Sequence, residues 1–200
     1  MRITGGLAKG IRLHAPPGIE VRPATDRLRE AVFSSLGLLV EGARVIDLFA
    51  GSGAYGLEAL SRRAAGLLAV EQDRRAVGCW RRNLASVERA IAAAQTGAAP
   101  SPATLREQNV FALDEAWAGF AGCDGCDVIF ADPPYALLQT HADALLERTA
   151  RWTCTGGRLV LESPGSVTPR ETAAWRVLKR LGKAQPRAPG VWILERTDAT

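Results

Sequence analysis

Two hundred residues with 47% apolar and 23% charged content fit one large domain, or one domain with a small appendage, and suffice to bury a real core. No apolar run approaches the roughly 18 residues of a membrane span, and the N-terminus, MRITGGLAKGIRL, carries no signal-peptide apolar block, so the expected compartment is the cytoplasm. The net charge of +4 is uneven, with six Lys or Arg against three Asp or Glu in residues 1–30 and seven against two in residues 170–196, a balance compatible with a polyanionic partner and equally with a solvated arginine-rich surface.

In chain order, residues 1–22 hold short β-prone pieces broken by Gly and Pro. Arg22-Pro23-Ala24-Thr25-Asp26 reads as a turn into a helix. Thr25 or Asp26 is its expected N-cap, and Leu28, Ala31, Val32, Ser35 and Leu36 form its stripe, ended near Gly37. From Ala43 onward strand and helix alternate. ARVIDLF is a short apolar strand, residues 51–62 a helix opened by glycines, and GLLAVE a second strand. Residues 73–94 read as a long helix capped by Asp73. The low-complexity run AAAQTGAAPSPA reads as an exposed loop. A weak strand near Leu105 leads into a helix over residues 111–117. VIFA is the next strand, residues 140–151 the next helix, and RLVLE the strand after it. Residues 175–181 and 191–195 are expected to close the sheet as an antiparallel hairpin. Continuous apolar strands separated by helices imply a mostly parallel sheet covered on both faces, an α/β doubly wound fold. Ligands of such sheets sit at the carboxyl ends of the strands. The expected division is an N-terminal basic β extension and helix over 1–42 and the α/β domain over 43–200.

Four cysteines, Cys79, Cys123, Cys126 and Cys154, include one CxxC at Cys123 to Cys126 with no second ligand pair close by. Reduced thiols and no metal are the expectation.

The first strand ends in Asp47-Leu48-Phe49-Ala50-Gly51-Ser52-Gly53-Ala54-Tyr55-Gly56. Gly51, Gly53 and Gly56 form a G-x-G-x-x-G between strand and helix, and Glu71 lies 20 residues beyond Gly51, at the end of the next strand, where a carboxylate can accept hydrogen bonds from a ribose. The glycines alone do not separate a dinucleotide from another adenosine cofactor. Asp47 tips the choice. A carboxylate there repels a pyrophosphate and attracts an ammonium. S-adenosyl-L-methionine carries an ammonium, a sulfonium and an adenosine. The D-x-F-x-G-x-G pattern resembles motif I of the class I methyltransferases. That resemblance implies cofactor contacts from Asp47, Phe49, Ala50, Gly51, Ser52 and Gly53, with both ribose hydroxyls on Glu71. It places Gln72 or Asp73 beside the adenine and Asn109-Val110 on its exocyclic amine and ring edge.

The apolar strand VIFA runs into Asp132-Pro133-Pro134-Tyr135. The prolines donate no backbone hydrogen bond and have fixed φ, but their carbonyls accept, and Asp132 adds carboxylate oxygens. A rigid rim of acceptors beside a ring suits a planar group bearing an NH₂. The acceptors hold its N–H bonds and the ring stacks on its plane. Positive charge develops on the nitrogen during methylation, and acceptors aimed there stabilise that state. The corner resembles the (D/N)PP(Y/F) motif IV of amino-methyltransferases acting on adenine N6, cytosine N4, guanine N2 or protein glutamine. Asp132, Pro133, Pro134 and Tyr135 are thus the expected catalytic residues, with Asp132 also touching the cofactor.

Arg2-Ile3-Thr4-Gly5-Gly6, Lys9-Gly10 and the run from Arg22 to Glu30 with Phe33, followed by DLFAGSGAYGLEALSRRAA and DPPY, are similar to the bacterial small-subunit (16S) ribosomal RNA guanine-N2 methyltransferase family over nearly the whole chain. The resemblance implies a seven-stranded class I methyltransferase (Rossmann-like) sheet with a short N-terminal β extension. It also implies transfer from S-adenosyl-L-methionine to the N2 amine of a guanine in 16S ribosomal RNA of assembled or assembling small subunits, by a monomer without metal. Arg2, Lys9, Arg12, Arg22 and Arg27 are the candidates for phosphate contacts, though Arg27 can instead pair with Glu30 along its helix, and the resemblance also implies that the run from Arg22 to Glu30 can form part of the cofactor pocket wall. An adenine-N6 DNA or RNA methyltransferase would use the same corner. A protein-glutamine enzyme is disfavoured by Asp132, an NAD-linked oxidoreductase by Asp47, and a binding-only RNA module by retention of both.

Overall fold

The computed structural model describes residues 1–16, 24–94, 101–114, 125–164, 167–182 and 188–198. Its centre is a seven-stranded sheet in the order β3-β2-β1-β4-β5-β7-β6. The strands are β1 Arg44–Leu48, β2 Gly66–Glu71, β3 Ala103–Glu107, β4 Cys126–Ala131, β5 Thr153–Pro164, β6 Trp175–Gly182 and β7 Pro189–Arg196. The first five pair in parallel, while β7 runs antiparallel between β5 and β6. The expected closing hairpin is thus present, with β7 inserted next to β5.

The central strands are mostly apolar on both faces because both faces are covered. Val45, Leu67, Ala69, Val128, Phe130 and Val160 pack with helices α1 (Ala24–Leu36), α2 (Ala54–Ser61) and α3 (Arg74–Ala94). Their neighbours Ile46, Leu68, Val70, Ile129, Leu159 and Leu161 pack with Leu145, Leu146 and Trp152 of helix α4 (Tyr135–Trp152) on the other side. The period of two hidden inside a continuous apolar run is what splits the core into two layers.

Strand order reverses between β1 and β4, the crevice where doubly wound sheets bind ligands. Register fixes what emerges there. Leu48 lies beside Val70 and Ala131, and Ala131 beside Leu161. The next residues, Glu71, Phe49, Asp132 and Glu162, therefore sit at one level on four adjacent strands.

Four local expectations are corrected. Helix α1 already runs from Ala24, so Asp26 sits inside the first turn, where its Oδ1 accepts from Arg29 Nη2 at 2.9 Å. Ala31 is exposed and Ser35 half-buried, while Arg29 and Phe33 are buried instead, because the helix packs on its 28-29-32-33-36 face. Asn109 Oδ1 accepts from Phe111 N at 2.8 Å and opens only a 3₁₀ turn, Val110–Ala112; the rest of the helix expected over 111–117 falls largely outside the described residues. Helix α4 starts at Tyr135, five residues early, with its kink at His141. The proline corner itself launches that helix, for the Pro134 carbonyl accepts from Leu137 N at 2.9 Å.

The N-terminal segment folds back on itself, with Ile3 N donating to Ile11 O at 2.9 Å and a lone antiparallel bridge at Arg2 and Arg12. It lies on the C-terminal end of α2. Leu7 N donates to Ser61 O at 2.7 Å, and Ser61 Oγ donates to Gly5 O at 2.6 Å. Gly6 is required here: its φ is +76°, and a Cβ would meet Ser61 O at 2.0 Å. Ile3, Ala8 and Leu13 add to the core layer of α1 to α3. No helix among the described residues is long and apolar enough to cross a membrane.

Candidate active site

The turn after β1 is tight because every second residue is left-handed: Phe49 at φ 59°, Gly51 at 56° and Gly53 at 82°. Gly53 also lies against a wall, since a Cβ there would come within 2.6 Å of Trp80 Cδ1. Phe49 is the unusual member, a bulky side chain in a conformation normally left to Gly or Asn. The turn is held from two sides. Glu71 Oε2 accepts from Gly51 N at 2.8 Å, and its Oε1 accepts from Gln72 N and Asp73 N, both at 2.8 Å. On the α3 side, buried Asn83 donates to Ser52 O and His14 O, both at 2.9 Å, and accepts from His14 N at 2.8 Å. Asp73 caps α3 as expected, Oδ1 accepting from Arg75 N at 2.7 Å.

These groups open on a cavity of about 530 Å³. Of the sequence-derived candidates, Asp47, Phe49, Ala50, Gly51, Ser52, Glu71, Gln72, Asp132, Pro133, Pro134 and Tyr135 all line it. Gly53, Asn109 and Val110 are not in its wall. Gly53 turns against Trp80, Val110 is buried in the core, and Asn109 stays close by through the Gln108 N bond to Glu71 O at 3.0 Å.

The wall is acidic. Asp47, Glu71, Asp73, Asp132 and Glu162 face Arg29 and Arg75, and both cations are committed. Arg75 pairs with Asp73 at 3.1 Å, and buried Arg29 with Asp26 and Glu58 at 2.9 and 3.2 Å. Asp47 Oδ2 accepts from Gly56 N at 2.9 Å. Burial still drives its carboxyl up to about 8, against that hydrogen bond and with help from Asp132 and Glu71. Asp132 is open to solvent through the cavity, yet loss of hydration within the surrounding protein raises it to about 6. With Asp47 and Asp132 both held above the ordinary carboxyl range by burial, this acidic wall is a receptor for positive charge.

The DPPY corner keeps part of its expected rim. Helix α4 takes the Pro134 carbonyl, so the acceptors left for a ligand are the Asp132 carboxylate and the Pro133 carbonyl. Tyr135 is exposed at the rim.

Two polar wall residues that hold each other were not singled out in the sequence. Tyr55 donates from its hydroxyl to Glu162 Oε2 at 3.2 Å and stacks on Phe130, with ring centroids 5.1 Å apart. Glu162, buried, had the same signal as Glu71, an acid ending an apolar strand. Arg29 lies in the wall, within the run that the resemblance placed there, but its burial gave no signal, because a buried arginine on an amphipathic helix looks like any surface one.

Of the cationic candidates, Arg2, Lys9, Arg12 and Arg27 are exposed and Arg22 lies outside the described residues. Arg27 makes no ion pair with Glu30 among the described residues; the pair of that helix is Asp26 with Arg29. Cys79, Cys126 and Cys154 are free thiols, and burial pushes the Cys126 thiol up. Cys123 lies outside the described residues. Among the described residues no cluster of His, Cys, Asp and Glu is arranged to hold a metal ion.

Comparison with known proteins gives a consistent result. The family model described as "Conserved hypothetical protein 95" matches residues 1–187. The chain is 32% identical to the Escherichia coli (strain K12) protein "Ribosomal RNA small subunit methyltransferase D" over 198 residues, 98% of this chain and 83% of that one. It is 33% identical to YlbH of Bacillus subtilis (strain 168), covering 90% of this chain and 91% of that one. The solved structure of the methyltransferase yhhF from Escherichia coli superimposes with a TM-score of 0.71 at 31% identity, covering 98% of each chain.

Proposed function

The chain belongs to the family described as Conserved hypothetical protein 95, and from that premise we propose that it transfers a methyl group from S-adenosyl-L-methionine to the N2 amine of a guanine in small-subunit (16S) ribosomal RNA. The observation that carries the reading is one cavity holding both halves of the chemistry, with Glu71 and the glycine turn at one end and the DPPY corner at the other. The Escherichia coli relative is named for ribosomal RNA of the small subunit and the Bacillus subtilis one for ribosomal RNA, and a cytoplasmic enzyme accords with that partner.

The donor set suits the cofactor. Asp47 would hold the ammonium, the glycine turn would let the backbone approach, and Glu71 would take the ribose. Three backbone amides already occupy the Glu71 carboxylate, so it arrives fixed in place, with about one of its roughly four acceptor positions left. Gln72 and Asp73 would flank the adenine, with Asn109 close by through the Gln108 N bond to Glu71 O. When bound, S-adenosyl-L-methionine supplies an electrophilic methyl group on a sulfonium. The protein's own part is to prepare the nitrogen. Asp132 and the Pro133 carbonyl accept the amine's N–H bonds, which favours a pyramidal nitrogen with its lone pair free of the ring. Tyr135 stacks on the base. As positive charge grows on nitrogen, the Asp132 carboxylate lies closest to it, and with its pKa near 6 it can take the proton that nitrogen sheds.

The RNA side is the N-terminal segment. Arg2 and Arg12, both exposed, are partners in one antiparallel bridge. Like charges directly opposite are destabilising alone, and a phosphate between them removes the penalty. Lys9 and Arg27, also exposed, are the further phosphate candidates, and the target base is flipped into the cavity.

Two outcomes test the cofactor contacts. Glu71→Ala is expected to weaken S-adenosyl-L-methionine binding roughly 10-fold or more, the loss of a charge-assisted hydrogen bond; unchanged affinity by calorimetry removes Glu71 from the ribose. Asp47 gives a pH signature. The free protein keeps its proton below about pH 8, whereas an ammonium at the carboxyl favours the charged form. Binding is therefore expected to release a proton near pH 7, and affinity to rise with pH and level off above about 8. Calorimetry in buffers of different ionisation enthalpy measures that proton; none released over this range removes Asp47 from the ammonium.

The reaction itself is tested with tritiated S-adenosyl-L-methionine on small subunits from cells lacking the enzyme, with naked ribosomal RNA and DNA in parallel and the products digested to nucleosides. N2-methylguanosine is the expected label. N6-methyladenine overturns the base, and no label in any of them overturns the nucleic-acid substrate.

A further inference from the structure

We propose that Glu162 selects the base: its carboxylate accepts the N1–H of guanine while Asp132 accepts from the neighbouring exocyclic amine. This rests on the guanine-N2 reading above and adds to it the residue that rejects adenine.

The placement follows from the sheet. Ala131 and Leu161 are partners in the β4–β5 ladder, so Asp132 and Glu162 leave adjacent parallel strands at the same level, roughly 4.8 Å apart in backbone. Both line the cavity. Glu162 is buried, 9% exposed, which keeps its carboxylate out of bulk water. Tyr55 orients it through the 3.2 Å bond to Oε2. Tyr55 is itself clamped by the 5.1 Å stack on Phe130 and by Phe33 at 6.4 Å.

Two adjacent carboxylate acceptors match one base edge. Guanine presents N1–H and N2–H₂ side by side, donor next to donor. Adenine presents its amine beside a bare N1 lone pair, which faces a carboxylate unfavourably. Rejection by an unpaired, repelled acceptor is far stronger than rejection by shape. Asp132 alone does not discriminate, because every candidate base has an exocyclic amine.

The experiment compares guanine with 2-aminopurine at the nucleotide that the wild-type enzyme labels, installed by ligation into small-subunit RNA and reconstituted into subunits. 2-Aminopurine keeps the 2-amino group but carries a lone pair at N1. Wild type is expected to favour guanine in kcat/KM by about 100-fold or more. Glu162→Gln keeps an acceptor for Tyr55 and gains an NH₂ that can donate to that lone pair, so the preference is expected to shrink by about 10-fold or more, with S-adenosyl-L-methionine affinity unchanged. Tyr55→Phe, which leaves the carboxylate but removes the hydroxyl that holds it, is expected to shrink the ratio in the same direction, and it decides the matter if Glu162→Gln does not fold. Wild type accepting both bases equally, or both variants leaving the ratio unchanged, overturns the role of Glu162 alone. Wild type placing no methyl on either base overturns the guanine reading and this inference with it.

Discussion

Asp132→Ala is expected to lower methyl transfer about 10²–10³-fold, the cost of removing one group aimed at charge that develops in the transition state, while S-adenosyl-L-methionine still binds. The asymmetry comes from position. Asp132 leaves β4 at the level where Glu71 leaves β2, two strands away across β1, so the ribose contact and the glycine turn do not depend on it. Asp132→Asn sharpens the test. The amide oxygen still accepts one N–H but offers no charge, and it cannot take the proton from nitrogen, so its rate is expected between wild type and alanine. Single-turnover transfer from tritiated cofactor and calorimetric binding separate the two steps. Near-native turnover in Asp132→Ala would mean that the corner does not hold the amine. A parallel loss of cofactor affinity would mean that Asp132 serves the cofactor instead.

Much of the site is legible in sequence because its signals are local. A glycine turn, an acid ending an apolar strand and a proline corner each announce themselves within ten residues, and each lies where expected. The sheet's layering was legible too, since an apolar run without polar alternation can only be covered on both faces. The missing parts depend on contacts far apart in the chain. Tyr55 and Glu162 are separated by 107 residues, and nothing near either one names the other. The proline corner shows the reverse problem. Its residues read as a free rim, but Pro134 also starts α4, and a helix boundary is set by which carbonyls the following amides find. Asn83 was invisible for the same reason: on a 21-residue amphipathic helix one asparagine among arginines gives no sign that it holds the glycine turn and His14 together.

Glu58→Ala is expected to destabilise the fold by about 3–5 kcal/mol, the cost of removing one partner of a buried ion pair, which for a protein of this size lowers the Tm by roughly 6–20 °C. Glu58 is fully buried on α2. Its carboxylate accepts from Thr4 N at 2.9 Å, Thr4 Oγ1 at 2.5 Å and Arg29 Nε at 3.2 Å, and from Arg62 Nε and Nη2 at 3.1 and 2.9 Å. Arg29 also donates to the Arg2 carbonyl. One carboxylate thus joins the N-terminal segment, α1 and α2 behind the cavity wall. Its removal leaves the Arg29 guanidinium, 2% exposed, with Asp26 as its remaining ion-pair partner. In sequence Glu58 and Arg62 resemble an ordinary surface pair one turn apart, which would be worth only a few tenths of a kcal/mol. Burial separates the two readings, so thermal unfolding decides between them: a shift of a degree or less would make the pair a surface one. The functional consequence follows the geometry. The segment carrying Arg2 and Arg12 loses its anchor on Thr4, so RNA affinity is expected to fall at temperatures where the variant is still folded and still binds S-adenosyl-L-methionine. Loss of both bindings together would instead show that the N-terminal segment and the cofactor site unfold as one unit.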